Sequence, residues 1–174
     1  MSVPTTPFFI GIAGVAFATL LFELSLIRIL SYTIWHHFGY VVISTALLGF
    51  GAAGTFLAVR TSFGKRDPRG SLAKCSMLAA LSVVVMMVFI AMVPLHPMSI
   101  LSETRQLWVF IGYQVMATVP FFFSGLVVSL ALRIGALRVD RLYFWDLLGA
   151  GLGCILCVVL MNLVTPPGTA FLAA

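Results

Sequence analysis

Charge is scarce in this sequence. Lys and Arg number ten, Asp and Glu five, so 9% of the 174 residues are charged and 61% are hydrophobic. Soluble domains run nearer ~25% charged and ~45–50% apolar, and a surface facing water cannot be covered with so few charges. Cysteine is sparse too. Cys75, Cys154 and Cys157 all lie in or beside apolar runs, which argues against a secreted disulfide framework. No Lys or Arg precedes the first apolar run, and that run is long enough to span a bilayer, so it reads as a retained helix and not as a cleaved signal peptide. A basic face with interleaved aromatics is also missing. The net charge of +5 and pI near 9.6 therefore do not mark a nucleic-acid binder, and no nucleic-acid partner is expected.

What the chain does have is long apolar runs, at about 8–30, 39–59, 75–93, 107–132 and 143–164. At 1.5 Å per helical residue each is close to the ~30 Å of a hydrocarbon core. None shows the alternation of a membrane barrel strand, and a helix supplies every backbone amide with a local partner in lipid. The expected fold is all-α, a polytopic transmembrane helix bundle of about five spans in a single domain. Pro94-Leu-His-Pro97 should end the third span, and Pro120 should kink the fourth. Thr165-Pro-Pro-Gly168 turns the chain, and 169–174 reads as the apolar start of a sixth helix, so the sequence is expected to be a truncated piece of something longer.

Loop charge sets the expected orientation. Arg60, Lys65, Arg66, Arg69 and Lys74 crowd the second connection, and Arg133, Arg138 and Arg141 the fourth. The first connection has no Lys or Arg, and the third has only Arg105, near Glu103. Basic loops stay inside, which places the N-terminus in the cytoplasm and the protein in the cell (inner) membrane. Tyr32, Trp35, Tyr40 and Trp108 then fall at the outer interface, with Tyr143 and Trp145 at the inner one.

Several motifs imitate soluble chemistry. Gly49-Phe-Gly51-Ala-Ala-Gly54 matches the dinucleotide fingerprint by letter, but that mechanism needs a strand before it and a helix N-terminus facing a pyrophosphate. Inside an apolar helix, Gly49, Gly51 and Gly54 are expected to form a small-residue face for close helix packing, as are Gly149, Gly151 and Gly153. Cys154-x-x-Cys157 imitates a redox or metal pair, yet both intervening residues are apolar, and small buried inert thiols are expected. His36-His37 and His96 are expected to be interfacial and solvated, since adjacent imidazoles rarely share a metal. No catalytic residue, metal or cofactor is read from the sequence.

Charge inside a span costs at least ~2.5–3.5 kcal/mol on insertion scales, so Glu23, Arg28 and Asp146 are the candidate polar residues. Glu23 and Arg28 lie about 140° apart around the helix, which disfavours direct pairing. Arg28 can snorkel to the outer interface. Glu23 is deeper and needs a partner, and a count along the spans brings Tyr113 and Gln114 to its level. Structural pairing is the expectation, with a proton or ligand site as the alternative. Asp146 is expected to form an anchoring ion pair with Arg133, Arg141 or Arg60.

Glu23-x4-Arg28, then Phe38-Gly39, then Leu47-Leu-Gly-Phe-Gly-Ala-Ala-Gly54 resembles the first two helices of membrane-embedded spermidine synthase-like proteins. Tyr143-Phe-Trp-Asp146-Leu-Leu-Gly149-Ala-Gly-Leu-Gly153 is similar to a later helix of the same family. The resemblance implies a polytopic membrane region that precedes a Rossmann-like aminopropyltransferase-type domain. Nothing in this chain corresponds to that domain. The expected role is thus a non-catalytic membrane module acting in anchoring and helix–helix association, with the bilayer and other transmembrane helices, in a homo-oligomer or larger complex, as partners. An accessory subunit of a respiratory or photosynthetic complex is one alternative. A transporter fragment with Glu23 on a proton or substrate path is another, weakened by the lack of an inverted repeat.

Overall fold

A computed structural model describes residues 6–33, 39–93, 104–163 and 166–174. Six α-helices follow one another, with no strand among the described residues: α1 (Thr6–Thr33), α2 (Gly39–Val59), α3 (Pro68–Met92), α4 (Thr104–Ile134), α5 (Val139–Leu163) and the short α6 (Pro166–Leu172). A 3-10 turn at Ala136–Arg138 leads into α5. Five of the helices are long and apolar enough to cross a membrane.

Helix α3 runs further than its apolar run because its N-terminus is capped. The Asp67 carboxylate accepts the Gly70 N–H at 3.0 Å, and Pro68 occupies the first turn, where its missing N–H costs nothing. Helix α3 therefore starts seven residues ahead of the apolar run expected from Cys75, and takes in Arg69 and Lys74. Gly64, with φ of +73°, makes the turn before it in a conformation that L side chains rarely adopt. Pro120 sits inside α4, which continues through it. The proline leaves the Met116 carbonyl without its usual donor.

Two helices organise the bundle. Helix α4 holds α2 and α3 against it, while α1 carries α5 and α6 and touches α2 and α4. Phe22 of α1 and Phe121 of α4, both fully buried, meet with ring centroids 5.4 Å apart, and Phe50 of α2 joins them at 6.4 Å from Phe121. Helices α3 and α5 lie outermost, and the uncovered side of α5 is apolar: Phe144, Leu148, Ile155 and Val159 are all exposed. Such a surface is at rest in lipid and untenable in water. Helix α6 is wedged against α1 and α3, with Thr169 and Ala170 fully buried.

Candidate functional site

Glycines make the closest helix contacts. Gly149 and Gly153, four residues apart on one face of α5, lie on the backbone of α1. A Cβ on Gly149 would collide with the Ala13 carbonyl, and one on Gly153 would come within 2.8 Å of the Phe17 oxygen. The α2–α4 crossing has glycine on both sides. Gly49 of α2 faces Phe121 and the Phe122 nitrogen, where a Cβ would lie at 2.6 and 2.9 Å. Gly125 of α4 faces Phe50 and Ala53, at 2.9 and 3.0 Å.

The other three glycines depart from the expectation. Gly51, Gly54 and Gly151 are exposed, and a Cβ on any of them would meet nothing within 4 Å. The reason is rotational: at 100° per residue, positions two apart point to nearly opposite sides, while positions four apart share a face. Gly125 escaped the sequence reading because it stands alone, with no glycine partner at i±4; its only signal is a glycine one turn beyond Phe121.

The polar groups of the spans are few and mostly committed. Gln114 donates through Nε2 to the Thr45 hydroxyl at 2.9 Å, bridging α4 and α2. The Tyr113 hydroxyl donates to the Val93 carbonyl at the end of α3. These are the groups expected to pair with Glu23, and both are used elsewhere. Glu23 is half-buried and has no hydrogen bond or ion pair among the described residues. Arg28 is exposed, at the rim of a cavity formed with the end of α5 and Pro166 and Pro167.

The expected ion pair of Asp146 is absent among the described residues. Arg133 instead donates to the carbonyls of Thr61 and Phe63, at 2.8 and 3.4 Å, and Arg60 lies over the Phe56 ring. Asp146 sits on α5, which makes few contacts with α4, so Arg133 and Arg60 lie away from it, and Arg141, five residues back on α5, is about 140° around the helix. The thiols divide: Cys157 is buried beside Ser25, while Cys154 is exposed, contrary to the expectation for a buried pair. No group of His, Cys, Asp and Glu suited to a metal occurs among the described residues. His36, His37, His96, Trp35, Phe38 and Glu103 lie outside the described residues.

A half-open pocket of about 230 Å³ lies between α1, α3 and α4, with Ala173 and Ala174 at its edge. Small residues line it, among them Gly14, Ala18, Ala79 and Ala80, with Phe22 and Phe121 as an aromatic wall and Ser124 as a nearly buried hydroxyl. Charged side chains take no part in its lining.

Fold and site together define a multi-pass, all-α membrane protein whose helices are keyed by glycine. Compared with known proteins, the chain matches no family model, no curated protein and no solved structure.

Proposed function

We propose that this chain is the non-catalytic membrane module of a spermidine synthase-like protein, anchoring it in the cell (inner) membrane with the N-terminus cytoplasmic and associating with further transmembrane helices. The observation that carries the reading is the pair of glycine surfaces on α2. Gly49 is consumed inside the bundle, while Gly51, Ala52, Gly54 and Thr55 form an exposed small-residue patch that no helix among the described residues covers. In lipid, where apolar burial gives no drive to associate, such patches let backbones approach and gain packing energy. The sequence blocks that resemble the family's helices include this same stretch.

The test has two arms. A Gly51→Leu, Gly54→Leu double variant, reconstituted in lipid, should lose association measured by energy transfer between labelled copies or co-isolation of its neighbours, while keeping its helical content. Purified wild-type chain should show no aminopropyl transfer from decarboxylated S-adenosylmethionine to putrescine. Transfer above background would end the non-catalytic reading, and undiminished association of the double variant would end the role of the patch.

A second reading rests on Glu23, a carboxyl group well inside a span with no partner among the described residues. Intramembrane carboxyls of this kind mark proton or cation paths. Proton flux into liposomes, lost in Glu23→Gln, is the measurement that favours it.

A further inference from the structure

At the end of the bundle where α2 gives way to α3, another cavity of about 620 Å³ combines a cationic rim with an apolar floor. Its cations come from three places: Lys65 from the loop, Arg69 from the first turn of α3, and Arg133 from the last turn of α4. One carboxylate, Asp67, accompanies them, and it is engaged in capping α3 through Gly70. Phe63, Leu130 and Ile134 supply the apolar side.

Arg133 is held in place. Its guanidinium donates to the Thr61 and Phe63 carbonyls, two bonds out of the five N–H donors an arginine offers. The Lys65 ammonium has no hydrogen bond or ion pair among the described residues. The cavity also opens at the N-terminal end of the 25-residue α3, where the helix dipole adds positive potential. A ligand that satisfies this site must carry a compact negative charge next to hydrocarbon.

We propose that this cavity is a binding site for an anionic phospholipid, with the phosphate held by Lys65, Arg69 and Arg133 and an acyl chain laid against Phe63, Leu130 and Ile134. The placement is at the membrane–water boundary, since the polar loop 60–67 ends the apolar α2 there. A zwitterionic headgroup suits the site less well, because its ammonium would face three cations. Free phosphate shares the charge and lacks the chains.

Native mass spectrometry of the full chain in detergent, equilibrated with equal palmitoyl-oleoyl-phosphatidylglycerol and -phosphatidylcholine, tests the proposal. Each Lys or Arg near an anionic headgroup contributes about a fivefold preference. The wild type should therefore retain phosphatidylglycerol preferentially, and a Lys65→Gln, Arg69→Gln double variant should lose the preference by roughly 25-fold. Both side chains are exposed, so the variant is expected to fold, and an unchanged unfolding midpoint checks this. An Arg138→Gln, Arg141→Gln double variant removes an equal charge outside the cavity and should leave the preference intact. Equal retention of the two lipids in the wild type would overturn the site. So would an equal loss in the Arg138→Gln, Arg141→Gln variant, which would reduce the effect to surface charge. Displacement of the lipid by millimolar inorganic phosphate would overturn the lipid assignment in favour of a free anion.

Discussion

Gly149 of α5 rests on the Ala13 carbonyl of α1 so closely that a methyl group cannot be inserted between them. One turn on, Gly153 makes the same approach to Phe17. The two helices are thus locked by backbone contact along an i, i+4 pair, the arrangement that gives the closest crossing available to helices in lipid.

Leucine at either position forces α5 off α1, and overpacking of this kind costs about 1–3 kcal/mol. Gly149→Leu and Gly153→Leu should each lower stability by that amount in mixed-micelle unfolding. Gly51→Leu and Gly151→Leu, whose added side chains point into open space, should stay within about 0.5 kcal/mol of the wild type. Equal effects in the two sets would mean that the faces of α2 and α5 have been assigned wrongly.

The hydrogen bond from Gln114 to Thr45 bridges α4 and α2 through side chains. Interhelical hydrogen bonds in membranes contribute ~0.6 kcal/mol on average and up to ~1.7. Gln114→Leu and Thr45→Val should each cost about that much, and a double-mutant cycle should show that the two losses are not additive. Additive losses would show that the groups do not act on one another.

How much of this was legible in the sequence follows from periodicity and its limits. The five spans and the all-α fold follow from run length and hydropathy, which act locally. Helix α3 starts seven residues ahead of its apolar run because hydropathy does not register a capped polar turn, although Asp67-Pro68 is a visible signal for one. Spacing also separates packed from exposed glycines once a face is known, but it cannot say which face meets a neighbour: Gly49 and Gly51 look equivalent in sequence and differ completely in the fold. The partners proposed for Glu23 and Asp146 failed for a related reason. Equal depth places groups in one plane, and only helix azimuth decides whether they meet.

Orientation is testable at two exposed positions near opposite ends of the bundle. In a background without Cys75, Cys154 and Cys157, a cysteine at Ser62 should be shielded from a membrane-impermeant maleimide in intact cells. A cysteine at Thr104, the exposed first residue of α4, should be labelled. The opposite pattern would invert the topology and move the proposed lipid site to the other leaflet.

Glu23 gives the sharpest separation between a structural and a functional group. It lies roughly 15 Å along α1 from the helix end at Thr33, half-buried, while Gln114 and Tyr113 bond to Thr45 and Val93. Because no partner among the described residues would be orphaned, removing the carboxyl should not weaken the fold. An acidic residue near the middle of a span opposes insertion by ~2.5–3.5 kcal/mol, so Glu23→Leu should be at least as stable as the wild type. Destabilisation beyond about 1 kcal/mol would reveal a hidden structural partner and sink this account. On the reading that puts Glu23 on a proton path, Glu23→Gln, which keeps size and hydrogen bonding but cannot ionise, should keep the fold and abolish proton flux in liposomes. Flux equal to the wild type in that variant would leave the anchoring reading standing alone.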